Sequence, residues 1–202
     1  MWPLYKKEIR EFFSSFTGYI VVVVFLLLNS LFMWVFKGQM NVLNSGYASL
    51  NTLFSLAPWV FLFLVPAITM RVFSEEKRTG TLELLLSRPQ KEFKIVIAKY
   101  LSTWSLVIIS ILPTLIFYVS VYLLGNPPGN IDTGGTWGSY LGLVFLGGIY
   151  AAIGIFCSSL TSNQIVAFIM AVFISFAFYL GFRFLANMAG SGELAIIIEY
   201  LG

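Results

Sequence analysis

Residues 18–36 read GYIVVVVFLLLNSLFMWVF, and this stretch decides the class of the fold because it contains no charged residue. As a helix it is just long enough to cross a hydrocarbon core of about 30 Å. A cleaved signal peptide would have a shorter apolar region and a small-residue cleavage site. The apolar region instead ends in the bulky run Trp34-Val35-Phe36, with Lys37 after it, so we interpret the stretch as a retained membrane span.

The composition of the whole chain agrees with this interpretation. Of the 202 residues, 58% are hydrophobic, 17% are aromatic and only 10% are charged. Soluble domains are about 45–50% apolar and about 25% charged. So few charged residues cannot cover so much apolar surface in water, which predicts an integral membrane protein.

Further apolar stretches predict an all-α membrane fold with five transmembrane helices in this chain. Pro113 predicts a kink within the third span. Residues 125–138, GNPPGNIDTGGTWG, are rich in Gly and Pro and predict a loop. The last residues are too short and too broken for another full span. The five spans are expected at about 18–36, 53–73, 95–124, 139–160 and 165–185.

Residues 1–16 predict a short helix that lies on the membrane surface. Aromatic and aliphatic side chains share one face of this helix, beside the basic Lys6, Lys7 and Arg10. Such a pair of faces suits an anionic inner leaflet. The alternative is a plain charged flank of the first span. The apolar face consists of Trp2, Tyr5, Ile9, Phe12, Phe13 and Phe16.

The positions of the basic residues orient the predicted spans. Ten of the twelve Lys and Arg residues precede the first span or lie within 71–99, while Lys37 and Arg183 fall on the other side. Positively charged loops stay in the cytoplasm. We therefore expect a cytoplasmic N-terminus and a cytoplasmic 71–99 loop, with the C-terminus outside after five spans.

The residue inventory excludes several classes of site. The chain has no His and one Cys, which excludes His-based catalytic triads and thiol-based metal clusters. Ionisable residues are nearly absent from span centres, which argues against an intramembrane enzyme or an ion-coupled transporter. Polar residues within spans either line a translocation path or bond within and between helices. The candidates for the path are Asn29, Ser30, Thr103, Ser110 and Thr114.

The loop after the second span contains RVFSEEKRTGTLELLLSRPQKEFK, residues 71–94. Ser74 is positioned to cap a short helix, Thr79-Gly80 interrupts it, and Thr81 begins a second helix that ends before Pro89. This segment is either an interfacial linker or a docking helix for a cytoplasmic partner.

Residues 74–89, SEEKRTGTLELLLSRP, resemble the motif that follows the second span in ABC-2 type transporter permeases. In that family an acidic-basic run precedes Gly-Thr-x-Glu, leucines and Pro. The stretches 56–71, LAPWVFLFLVPAITMR, and 158–182, SSLTSNQIVAFIMAVFISFAFYLGF, are similar to permease subunits associated with gliding motility in gliding bacteria.

The resemblance implies one transmembrane domain over residues 1–202, with an elbow helix at 1–16 and a cytoplasmic coupling helix. Two permease halves, identical or different, would pair in a bacterial inner membrane with cytoplasmic ATPase subunits. The resemblance implies a multi-pass transport subunit that acts as an exporter and is not itself an enzyme. It would bind no cofactor and no nucleic acid, since ATP and Mg²⁺ belong to the partner. The implied contacts with the ATPase are Glu75, Glu76, Lys77, Arg78, Thr79, Gly80, Thr81, Leu82, Glu83, Leu85 and Leu86.

One departure from the family concerns the number of spans. Family members usually have six spans per half, with short re-entrant helices between the fifth and sixth. The sequence predicts five, and residues 186–202 suit the start of the re-entrant part. The chain is then a truncated half or an unusual five-span form. The alternative function is a scaffold that anchors a motility or secretion complex without transport.

Overall fold

The computed structural model describes residues 1–86 and 92–189, with the side chains in these ranges except those of Thr17, 84–86 and 182–189. The described residues form ten α-helices. A π-helical turn, Leu31–Val35, extends α2, and a 3-10 turn, Leu112–Thr114, joins α7 to α8. The α-helices are α1 Trp2–Ser14, α2 Phe16–Ser30, α3 Val42–Ser45, α4 Asn51–Thr69, α5 Ser74–Arg78, α6 Thr81–Leu86, α7 Glu92–Ile111, α8 Leu115–Leu124, α9 Thr133–Leu160 and α10 Gln164–Ala189.

Five helical stretches among the described residues are long and apolar enough to cross a membrane. This result confirms the predicted all-α membrane fold with five spans. The 3-10 turn contains Pro113, where the sequence predicts a kink. Residues 190–202 lie outside the described part of the chain. The five stretches are Gly18–Val35, Asn51–Arg78, Glu92–Leu124, Thr133–Leu160 and Gln164–Gly181.

The start of α9 differs from the sequence prediction. The loop expected over 125–138 ends early, because α9 begins at Thr133 and includes the Gly134-Gly135 pair. Asp132 is the reason: its Oδ1 accepts a hydrogen bond from the Gly135 amide at 3.0 Å. This N-cap satisfies an amide that the first helical turn leaves unpaired. Capping by Asp132 therefore outweighs the turn preference of the glycines.

Helices α4 and α9 form the centre of the bundle. Helix α4 contacts α2, α9 and α10, while α9 also contacts α7 and α10. Two glycines of α9 permit the close approach, since Gly147 lies against Val107 and Gly154 lies against Thr69. Small residues at such positions let helix backbones come near each other in a membrane. The indole Nε1 of Trp104 also donates a hydrogen bond of 2.9 Å from α7 to an α9 carbonyl.

The contact between Gly154 and Thr69 yields the first prediction. A Cβ added at Gly154 would lie 2.7 Å from Thr69 Cβ, so Gly154→Ala should destabilise the bundle by about 1–3 kcal/mol through overpacking. The measurement is thermal unfolding of the full chain in mild detergent. Gly142→Ala is the matched control on the same helix, because its added Cβ meets no atom within 4 Å. Equal melting temperatures for the two variants would contradict the assigned contact.

Candidate functional site

Three helices meet at the side chain of Lys99. Lys99 belongs to α7 and is 1% exposed. Its Nζ donates to Glu8 Oε1 on α1 at 2.8 Å, to Glu76 Oε1 on α5 at 2.9 Å and to the Val72 carbonyl at 2.8 Å. These bonds satisfy all three donors of the ammonium group. The cluster of Lys99, Glu8 and Glu76, hereafter the Lys99 cluster, therefore joins α1, α5 and α7.

The electrostatics of the Lys99 cluster depend on its burial. Removal of ions from water is costly unless each charge has a partner. Burial raises the pKa of Glu8, and attraction to Lys99 opposes this effect. The ring of Phe73 lies 5.0 Å from Lys99 Nζ and adds a cation–π contact. Loss of any member would leave a poorly compensated charge within the protein.

A second connection joins the corner between α4 and α5 to α9. Ser158 Oγ accepts hydrogen bonds from the amides of Phe73 at 3.0 Å and Ser74 at 3.1 Å. The same hydroxyl donates to the Met70 carbonyl at 3.1 Å. Lys77 Nζ also donates to the carbonyl of Ser159. The start of α5 is thus fixed to the last turn of α9.

The predicted cap at Ser74 is wrong. Phe73 occupies the N-cap position of α5 and makes no side-chain cap. Ser74 is buried, and its hydroxyl donates to the Met70 carbonyl instead of accepting from the helix. The orphan amides at this helix start bond to Ser158 of another helix, a partner that local sequence cannot reveal.

The segment 74–86, hereafter the α5–α6 segment, turns at Gly80. Gly80 has a φ of +69°, a left-handed conformation that glycine adopts at little cost. Thr79 Oγ1 donates to the Glu75 carbonyl at 2.8 Å and closes the end of α5. Among the implied partner contacts, Lys77, Arg78, Thr79, Gly80, Thr81 and Glu83 are exposed, Glu75 and Leu82 are half-buried, and Glu76 faces Lys99. Leu85 and Leu86 lie on α6, outside the described side chains.

Helix α1 packs against α7 through both polar and apolar contacts. Tyr5 Oη donates to Ser105 Oγ on α7 at 2.9 Å. The side chains of Ile9, Phe12 and Phe13 pack against the buried core, whereas Trp2 remains 63% exposed. Part of the face that the sequence assigns to the membrane surface therefore contacts protein.

A known protein family matches most of this chain. The family described as "ABC-2 family transporter protein" matches residues 38–201. The chain belongs to the ABC-2 transporter family. No curated protein and no solved structure matches it. As a membrane permease of this family, the chain is a transport component and is not itself catalytic.

The candidate path residues of this permease are buried or half-buried among its helices. The hydroxyls of Thr103, Ser110 and Thr114 each donate to a carbonyl of their own helical region, at 3.0, 2.9 and 2.6 Å. Asn29 Nδ2 donates to the Phe25 carbonyl at 2.8 Å, and its buried Oδ1 has no hydrogen-bond partner among the described residues. Ser30 is half-buried beside it. A role in translocation stays a prediction for all five.

The sequence-based prediction placed Lys99 among the cytoplasmic charges of the 71–99 loop and did not include the burial of its side chain. A signal was present, because Lys99 shares one helix face with the buried Ile95, Ser102 and Leu106. A lysine on a buried helical face needs a carboxylate partner. The identity of those partners, Glu8 and Glu76, depends on tertiary structure.

The Lys99 cluster yields the second prediction. Lys99→Met keeps the length of the side chain but leaves two carboxylates without their cation, which should destabilise the permease by roughly 3–5 kcal/mol. Thermal unfolding in detergent measures the loss, with exposed Lys94→Met as the control on α7. Adding Glu8→Gln and Glu76→Gln to Lys99→Met should restore much of the stability. Identical unfolding of the two single variants would show that the cluster contributes nothing.

The contacts of Ser158 yield the third prediction. Ser158→Ala leaves the amides of Phe73 and Ser74 without their acceptor and should cost about 1–3 kcal/mol for unpaired buried groups. Ser159→Ala is the neighbouring control, since among the described residues Ser159 Oγ bonds only to the carbonyl of Phe156 in its own helix. Hydrogen exchange should quicken at the start of α5 for Ser158→Ala alone. Unchanged exchange there would contradict the anchoring role.

Proposed function

We propose that this chain is the permease half of an ABC-2 exporter in a bacterial inner membrane, driven by a separate cytoplasmic ATPase. Membership of the ABC-2 family supports the transport role. The charge asymmetry supports a cytoplasmic N-terminus, since ten of the twelve basic residues lie before the first span or within 71–99. ATP and Mg²⁺ bind to the partner subunit, and this chain supplies its docking surface.

The observation that carries the proposal is the contrast within the α5–α6 segment. Its outer residues, including Arg78 and Glu83, are exposed, whereas its root bonds to Lys99 and Ser158. A partner bound to the exposed side would displace an element that is attached to α1, α7 and α9. Closure of the ATPase would then shift these helices between two arrangements, as a packed two-state element allows.

A narrower proposal concerns the biological setting. The stretches 56–71 and 158–182 are similar to permease subunits associated with gliding motility, which supports an exporter linked to that process. A second permease half, identical or different, completes the transporter within the lipid bilayer. Copurification of the second half distinguishes a homodimer from a heterodimer.

The second candidate function is a non-transporting scaffold of a motility or secretion complex. One observation favours it: the hydroxyls of Ser110 and Thr114, expected on the path, bond to carbonyls of their own helical region. A scaffold would assemble with its partners but would not couple ATP hydrolysis to a substrate. Recovery of motility or envelope proteins without an ATPase would support the scaffold.

The fourth prediction tests ATPase docking. Gly80→Pro cannot adopt the φ of +69° and should distort the turn, while Glu83→Lys reverses an exposed charge of α6. Both variants should insert normally but lose most copurifying ATPase, measured by affinity purification from native membranes in mild detergent and mass spectrometry. Glu92→Lys, an exposed reversal outside the segment, should retain it. If both segment variants recover and stimulate the ATPase normally, the docking assignment is wrong.

A further inference from the structure

A cavity of about 440 Å³ lies beside the Lys99 cluster. Its walls come from α1, the start of α2, the last turn of α4, the α5–α6 segment and α7. This volume falls within the range of about 300–1,000 Å³ that small-molecule sites occupy. The cavity is therefore large enough for a headgroup together with the first part of an apolar chain.

The lining of this cavity divides into an apolar floor and a polar mouth. The floor contains the buried side chains of Val21, Ile68 and Leu106, with Phe12 beside them. The mouth contains exposed Lys7 and Glu11 from α1, with Thr79 and Thr81 opposite. A ligand that fills both parts must be amphiphilic, because the apolar floor offers no hydrogen-bond partners to water or to a polar group.

The charges of the cavity favour a cation within it. Four carboxylates line the described walls against three basic groups, and the basic groups are Lys7, Arg71 and Lys99. Burial raises the pKa of Glu8, because the carboxylate is desolvated more than Lys99 compensates. A cationic group held beside these carboxylates would be attracted to them and would stabilise their charged form. The carboxylates belong to Glu8, Glu11, Glu75 and Glu76.

Two of these carboxylates keep acceptor capacity for a donor. Glu76 Oε2 is buried and has no hydrogen-bond partner among the described residues, although Oε1 bonds to Lys99. The half-buried carboxylate of Glu75 forms no ion pair within the described part of the chain. A primary ammonium has N–H donors for both acceptors, whereas a quaternary ammonium has none. Water could donate one bond but would carry no positive charge to the carboxylates and would not cover the floor.

We infer that this cavity binds a phospholipid whose headgroup has a primary ammonium, as in phosphatidylethanolamine. The ammonium donates to Glu75 and Glu76, and the adjoining phosphate faces Arg71, whose guanidinium has five donors, and Lys7. An acyl chain follows the apolar floor into the bundle. The bound lipid wedges α1 against α4 and α7 and lies directly beside the root of the α5–α6 segment. This inference goes beyond the proposed function and needs no ATPase.

The fifth prediction compares two lipids with identical acyl chains. The purified full chain in mild detergent is titrated with phosphatidylethanolamine and with phosphatidylcholine, and bound lipid is measured by native mass spectrometry. The ethanolamine lipid should bind about ten-fold more tightly, the effect of charge-assisted hydrogen bonds that choline cannot make. Equal binding of the two lipids would overturn the inference, whatever the result of the docking experiment.

Two variants and a soluble competitor sharpen this test. Glu75→Gln should reduce the preference for the ethanolamine lipid several-fold, whereas Glu83→Gln, exposed and outside the cavity, should keep it. Preference unchanged by Glu75→Gln, in a variant that unfolds at the wild-type temperature, would refute the site. Glycerophosphoethanolamine should compete weakly, because it lacks the acyl chain. Competition as strong as that of the intact lipid would show that a soluble headgroup is the occupant and would refute the lipid assignment.

Discussion

The ammonium of Lys99, buried at 1% exposure, is the constraint on which the rest of this end of the bundle depends. A charge that is excluded from solvent must be paired, and the carboxylate partners of Lys99 come from α1 and from α5. Neither carboxylate can move away alone without leaving Lys99 short of a partner. Lys99 therefore couples the three helices, so that a shift of one of them changes the contacts of the other two. Because Lys99 must be paired, it links α7 to α1 and α5, which are far from it in sequence.

The corner between α4 and α5 is held by a different kind of interaction. Gly154 lets Thr69 approach the backbone of α9, and Ser158, one turn further along α9, bonds to the backbone on both sides of the corner. These are directional bonds to backbone groups, so they fix position within tenths of an ångström. Lys99 adds a bond of the same kind, because its Nζ donates to the Val72 carbonyl at 2.8 Å. The root of the α5–α6 segment is therefore bonded both to α9 and, through Lys99, to α1 and α7, so a displacement of the segment would be transmitted to all three helices.

Most of the architecture could be predicted from the sequence, because hydropathy over a span is a sum over many residues and tolerates local errors. The all-helical class and the five spans follow from long runs such as 18–36. The start of α9 was predicted wrongly because a single side chain, Asp132, outweighs a pair of glycines. The Lys99 cluster was missed for a different reason. Its partners lie 91 and 23 positions away along the chain, and no local pattern encodes such a pairing.

The same residues explain why an element at the membrane edge can respond both to a partner and to a lipid. The charged walls of the cavity include Glu76, which also bonds to Lys99 at the root of the α5–α6 segment. A headgroup that donates to the free oxygen of Glu76 would strengthen one arrangement of the root over another. A ligand shifts such an equilibrium only by its difference in affinity for the two arrangements. If partner closure moves α5 relative to α7, the cavity between them changes shape, so lipid binding and partner closure must each alter the free energy of the other by the same amount.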